Sequence, residues 1–315
     1  MFRKTLMVIL FIFGIMVLIA NGEEKQSGQA KLFAEMEKCY MANECANSLE
    51  MTLVSKWYFP AEQGNSYGVF GFKFKRMVVK EEVAQGGKVV NNVMSPYKLY
   101  VRAYHEGDKD KEGKAKFLGF SAEIPEQEGA TEEIYAFAFP AKVGNYRVIA
   151  AITDSNWTVS SVVSYDAEFP SFAVTDKIVS SSPIFLKKIA TLQATDSVFT
   201  VWKNLFHLGI GEIYPYFENR FKADEQPTLF IQLFGLSLDA ETSAYKIEYD
   251  FTIKKDGKEE LKFKTMQATS PGIVQPLVFK KDGKGLAAGN YLLEVSIEDK
   301  VSGKKIQKEI PFAII

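Results

Sequence analysis

An eleven-residue phrase occurs twice in this 315-residue chain, 145 positions apart. Gly144-Asn145-Tyr146-Arg147-Val148-Ile149-Ala150-Ala151-Ile152-Thr153-Asp154 is matched by Gly289-Asn290-Tyr291-Leu292-Leu293-Glu294-Val295-Ser296-Ile297-Glu298-Asp299, with Gly, Asn, Tyr, Ile and Asp in one register. Tyr146, Val148, Ala150 and Ile152 are apolar at every second position, as are Tyr291, Leu293, Val295 and Ile297. That period marks a strand with one buried face, which must meet a second sheet. Repeated at this distance, it predicts two similar β units of ordinary domain size.

Residues 1–22 read as a signal peptide outside the fold. Arg3 and Lys4 precede an apolar run from Leu6 to Ala20, and Ala20-Asn21-Gly22 supplies a small-x-small cleavage site. Fifteen helical residues rise only about 22 Å, short of the roughly 30 Å hydrocarbon core. The mature chain is therefore expected to be exported, with no membrane span. Losing Arg3 and Lys4 takes the basic count from 38 to 36 against 39 acidic side chains, a net charge of −3. Such a balance offers nucleic acid no electrostatic attraction.

Residues 23–47 form an N-terminal helical segment. Glu23 to Gln29 reads as a polar, disordered lead-in, and Leu32, Phe33, Met36 and Tyr40 give Ala30–Met41 a helical spacing. Cys39 and Cys45 are the only cysteines. A helix continuing through both would separate them by about 9 Å, beyond the roughly 7 Å limit for bridged Cα atoms. Either the helix breaks near Asn43 and a local structural disulfide forms, or both thiols stay free; the bridge is the favoured alternative.

From residue 48 onward the period is 2. Residues 48–175 and 176–315 read as two tandem antiparallel β-sandwiches of immunoglobulin or fibronectin-III type, an all-β fold. Expected strands in the first unit lie near residues 51–60, 67–79, 98–104, 116–124, 133–139 and 160–169, with a Gln85-Gly86-Gly87 turn. The second carries them near 178–186, 212–217, 228–237, 245–254, 259–265, 273–279, 291–298 and 305–313. Lys255-Asp256-Gly257-Lys258 signals a tight hairpin. Residues 187–210 lack a period and suggest a short helix or an irregular crossing.

The Gly-x-Tyr entry to each repeated strand resembles the tyrosine corner of immunoglobulin-like sandwiches, which gives Tyr146 and Tyr291 a structural role. Asp154 and Asp299 begin the following turn, where an Asx-type turn is expected. Both units close on a similar phrase, Glu168-Phe169-Pro170-Ser171-Phe172 and Glu309-Ile310-Pro311-Phe312. Between them run Ser181-Ser182-Pro183-Ile184-Phe185-Leu186, Tyr214-Pro215, and Leu229-Phe230-Ile231-Gln232-Leu233-Phe234-Gly235-Leu236. Over residues 98–315 this order resembles the C-terminal sandwich region of exported bacterial proteins that carry a GWxTD motif or a von Willebrand A-type domain. The head motifs of those proteins, Gly-Trp-x-Thr-Asp and Asp-x-Ser-x-Ser, do not occur here, so the resemblance implies a fold and carries no activity.

Candidate chemistry is sparse. His105 and His207 are the only histidines, one in each unit, and no Gly-x-Ser-x-Gly elbow accompanies them. Asp108-x-Asp110-x-Glu112-Gly113 resembles the front of a calcium loop, but Gly119 stands where the distal Glu belongs and Lys109, Lys111 and Lys114 repel a cation. No catalytic residue, metal or cofactor is expected. The aromatic residues give a better handle: Trp157 in a predicted turn, with Tyr214 and Tyr216, are the candidates for partner or ligand contact. These features lead to an exported, non-enzymatic binding or spacer protein of the cell envelope, its partner an envelope protein or a glycan. The alternative is a carbohydrate-binding protein using exposed aromatics, and the third reading is a hydrolase with its site between the units.

Overall fold

The computed structural model describes residues 23–83, 89–125, 127–128, 132–173, 176–191, 201–209, 211–281 and 283–315. The N-terminal apolar segment and the Gln85-Gly86-Gly87 turn lie outside the described residues. One helix, α1 (Glu23–Ala42), precedes a chain that is otherwise mostly strand. The first strands are β1 (Thr52–Pro60), β2 (Ser66–Lys75), β3 (Tyr97–Lys109), β4 (Ala115–Ile124), β5 (Glu132–Ala141), β6 (Gly144–Asp154) and β7 (Ser160–Phe169). Then come β8 (Ile184–Thr191), β9 (Val201–Lys203), β10 (Phe206–Leu208) and β11 (Gly211–Pro215). Further along are β12 (Thr228–Phe234), β13 (Ile247–Lys255), β14 (Lys258–Lys262), β15 (Gly272–Pro276), β16 (Gly289–Asp299) and β17 (Lys305–Ile314), with shorter or peripheral strands between these.

Two sheets, ordered β1-β2-β5-β9 and β7-β6-β3-β4, face each other. The first contributes Phe70, Phe72, Phe74, Phe137 and Phe139 to a shared core; the second contributes Leu99, Val101, Val148, Ala150 and Ile152. Each fully buried Phe of this kind contributes on the order of 1.5–3 kcal/mol. A second sandwich forms downstream. There Phe185, Leu229, Ile231 and Ile273 meet Tyr249, Phe251, Leu293, Val295 and Phe312. Its sheets run β12-β8-β11-β10, with β15 on the other edge of β12, and β17-β16-β13-β14. The repeated phrase forms β6 and β16, which hold equivalent places: β6 lies between β3 and β7, and β16 between β13 and β17. The glycine that opens each copy has positive φ, 140° at Gly144 and 150° at Gly289, where other residues are strained.

The two copies differ on their outer faces. In β16 the outward residues Glu294, Ser296 and Glu298 are not buried, and burial alternates along the strand. In β6 the corresponding Ile149 and Ala151 are fully buried beneath Leu32, Met36 and Cys39 of α1. The helix starts at Glu23, seven residues earlier than its apolar spacing indicates. Close packing explains part of this extension: a Cβ on Gly28 would lie 2.5 Å from Trp157 Cβ, so the helix backbone rests on that indole.

A third core joins the sandwiches. Trp57, Phe59, Val69, Ala136 and Ala138 on the outer face of β1-β2-β5 pack against Ile184, Leu186, Phe206, Ile213 and Phe217. The β2 and β5 strands are consequently buried on both faces, unusual for an antiparallel sheet. Gly71 makes the contact close, since a Cβ there would sit 2.5 Å from Phe217 Cδ1. Of the segment 187–210, expected to hold a short helix or an irregular crossing, residues 192–200 and 210 lie outside the described residues, and the described parts contain strands. Ile184 to Thr191 is one strand, and β9 pairs with β5 through Val201↔Phe137, Trp202↔Ala136 and Lys203↔Tyr135. The boundary expected at 175/176 is thus crossed, because residues from beyond it complete a sheet of the first sandwich. The strand expected over 178–186 is divided at Pro183, which cannot donate to the ladder, into Val179–Ser180 and β8.

Candidate functional site

Where the helix ends, the sheet beneath it also ends, and a cleft opens between them. Asn43 adopts the left-handed conformation, with φ 57°, and its N–H donates to the Cys39 carbonyl at 3.0 Å, closing α1. Cys39 and Cys45 then lie in disulfide geometry, their Cα atoms 4.6 Å apart. The chain continues onto β7, where the Leu49 N–H donates to Ser161 Oγ at 2.6 Å. Tyr40 stacks on Tyr104 of β3 with ring centroids 3.9 Å apart, which fixes the helix end over the sheet.

The cleft encloses about 770 Å³. Tyr40 and Met41 form its helical wall, His105 and Asp108 the end of β3, and Arg147 and Asp166 the ends of β6 and β7. Arg147 stands where the second repeat has Leu292. Its Nη1 donates to the Tyr40 carbonyl at 3.4 Å, placing a cation at the electronegative end of the helix, and its Nε lies 3.4 Å from Asp166 Oδ1. Lys56 Nζ donates to the Asp166 carbonyl at 3.2 Å, and Asn145 Nδ2 to Glu106 Oε2 at 3.2 Å. His105 Nδ1 is 3.7 Å from Asp108 Oδ1, and the imidazole edge meets the Tyr146 ring at 4.8 Å. Burial pushes the Tyr146 phenol up, as does the Asp108 carboxylate, against the opposing backbone of Lys142. Burial likewise raises Tyr104, with Arg102 opposing. Both phenols remain protonated and neutral at ordinary pH. At the rim, Met41 is 76 % exposed, a large apolar side chain left uncovered by the described residues.

The sequence-predicted contact residues lie elsewhere and are not brought together. Trp157, with φ 61°, is half-buried against Gly28 and sits 5.7 Å from the Tyr100 ring. Tyr214 and Tyr216 flank Pro215 at the end of β11. The Tyr214 ring has Lys188 Nζ 4.1 Å from its centroid, and its hydroxyl donates to Glu212 Oε2 at 3.0 Å. Tyr216 meets the Phe221 edge at 4.8 Å and Lys187 Nζ at 5.1 Å. The Glu212 hydrogen bond raises the Tyr214 phenol, and burial raises Tyr216. Tyr291 lies at the start of β16, its hydroxyl against the Ala287 backbone, and Tyr146 holds the equivalent place in β6.

A buried polar chain at the opposite end of the first sandwich had no signal in the sequence. Arg76, 2 % exposed, donates to the Tyr135 hydroxyl at 2.7 Å and to the Pro125 carbonyl at 3.0 Å. Tyr135 donates onward to Glu133 Oε2 at 2.9 Å, and Glu133 Oε1 lies 2.6 Å from Lys203 Nζ. Lys203 belongs to β9, so this network also fastens the late strand to the first sandwich. No cluster of metal-ligating side chains occurs among the described residues, and no helix among them is long and apolar enough to cross a membrane.

No protein-family model matches the chain, and no curated protein matches it.

Proposed function

We propose that this chain is an exported, non-enzymatic binding protein of the cell envelope, and that the cleft at the end of α1 receives a polypeptide partner. The observation that carries the reading is Met41, a 76 % exposed apolar side chain on the rim of a cleft walled by both acidic and basic groups. An apolar anchor ringed by mixed charge suits a protein surface, where aromatic and Met side chains supply area and polar rims supply register. Stacking on a sugar has less support. Trp57 packs on Phe206 and Phe217, Trp157 on Tyr100, and Trp202 on His207, so each indole ring has a partner within the chain. The resemblance to the sandwich region of exported GWxTD-motif and von Willebrand A-type proteins belongs to this proposal, as does the envelope location.

Site-specific photo-crosslinking tests it. A crosslinking residue at position 41 of the full chain, expressed in its native host, is expected to trap a discrete protein that the same residue at Ser302 does not. Equal products at both positions, or none at 41, would overturn the reading.

A further inference from the structure

The pentapeptide Lys-Lys-Asp-Gly-Lys occurs twice, at 254–258 and 280–284. Each copy holds three lysines and one aspartate, a local net charge of +2 in a chain whose total is −1. Both copies close tight hairpins, and in both the second and last lysines face each other across the ladder: Lys255↔Lys258 and Lys281↔Lys284. Like charges directly opposite destabilise a strand pair, and this chain makes the same unfavourable pairing twice at one end of one sandwich.

The two hairpins converge. Lys255, Lys281 and Lys284 line a pocket of about 500 Å³ with Glu260, Leu286 and Tyr291. Glu260 is taken by Lys281 Nζ at 3.2 Å, which neutralises the carboxylate on the wall. Lys255 and Lys284 make no ion pair with any described residue. Lys255 Nζ is instead held 5.1 Å over the Tyr291 ring, and it would lie 3.2 Å from a Cβ on Gly289. Two ammonium groups without an ion-pair partner among the described residues therefore share this pocket with the exposed Ala287.

We propose that this end of the second sandwich binds an anionic polysaccharide, its phosphate, sulfate or carboxylate groups bridging the paired lysines and its sugar rings resting against Ala287. Nucleic acid fits less well, because base stacking needs a free aromatic face and Tyr291 is already occupied by Lys255 and by Phe312 at 5.5 Å. The site is separate from the Met41 cleft and stands whether or not that cleft takes a partner.

The test uses the full chain on immobilised dextran sulfate at about 50 mM salt, where screening still leaves a multivalent charge contact strong. Retention is expected on dextran sulfate and not on neutral dextran. The Lys255→Gln/Lys284→Gln variant is expected to bind about tenfold more weakly and to depend less steeply on salt. A Lys300→Gln/Lys305→Gln variant removes the same charge from the turn between β16 and β17 and the first residue of β17, and it should bind as the parent does. Equal loss in both variants would mean unspecific attraction and overturn the proposal. So would no retention of the parent chain, or capture by phosphatidylglycerol vesicles without capture by dextran sulfate. Unchanged near-ultraviolet circular dichroism identifies a variant that has kept its fold.

Discussion

The Tyr291 hydroxyl donates a 2.7 Å hydrogen bond to the carbonyl of Ala287, four residues upstream, and so closes the turn that leads into β16. Gly289 lies inside that turn at φ 150°, and the ring packs on Phe312 of β17. Removing only the hydroxyl leaves the ring packing and strands the carbonyl. Tyr291→Phe is expected to lower stability by about 1 kcal/mol, read as a shifted urea midpoint at constant slope. An unchanged midpoint would remove the hydrogen bond from the account.

Asp299 ends β16 fully buried. Burial pushes its pKa up, but hydrogen bonds from the Ser302 hydroxyl and from the Ser237 and Val301 amides outweigh that and hold it below the usual carboxylate range. Asp154 ends β6 under the same balance, accepting from the Thr158 and Val159 amides at 2.7 and 2.9 Å. With native pKa values below the unfolded one, the native state binds fewer protons near pH 4. The stabilisation is complete above the unfolded value of 3.8 and lost as pH falls through the native values. Asp299→Asn is expected to cost about 1.5–3 kcal/mol at pH 7 and progressively less in acid. A gap between parent and variant that stays constant from pH 7 to pH 3 would contradict this linkage.

Cys45 follows Cys39 by six positions, and the loop they enclose includes the left-handed turn at Asn43. Replacing both by Ala is expected to cost about 2 kcal/mol in the chain-entropy account. The loss should be local: amide exchange should quicken at Leu32 to Tyr40 and stay slow in β13 and β16. Uniform acceleration across both sandwiches would show that α1 unfolds only with the whole molecule.

Gly71 admits the Phe217 ring onto β2, and Ser55 Oγ crowds the same spot. Gly71→Ala is expected to destabilise by about 1–3 kcal/mol through overpacking. Phe217→Ala alone opens a cavity, at roughly 3–5 kcal/mol. Because the two defects relieve each other, the double variant should be more stable than the sum of the single ones predicts. Simple additivity would mean that the ring does not press on that glycine.

Strand β16 was legible because one side chain in two faces water and the other a core, the condition under which period 2 is visible. Strand β6 looked like its twin, and its Ile149 and Ala151 were the only hint that something covers its outer face. The cover, α1, comes from more than a hundred residues away, and its own apolar stripe does not say which sheet receives it. Strand β9 has three residues, Val-Trp-Lys, too few for any period; its place depends on the edge offered by β5. The cleft was the least legible part. Tyr40, His105, Arg147 and Asp166 each look ordinary in sequence, and only topology assembles them. Trp157 drew notice as an aromatic in a turn, and it serves as a seat for the helix.

The pairing of β9 with β5 also sets an order of events. As the chain emerges N-terminus first, β5 is complete at residue 141, while the three residues that pair with its free edge follow some sixty positions later. Until residue 184 the outer face of β1-β2-β5, with Trp57, Phe59 and Val69, has none of its eventual partners, which come from β8 first and from β10 and β11 later. The first sandwich therefore matures only when the beginning of the second arrives. A nascent chain paused near residue 175 would present both a bare edge and an apolar face to its surroundings, which makes that interval the stage most in need of a chaperone.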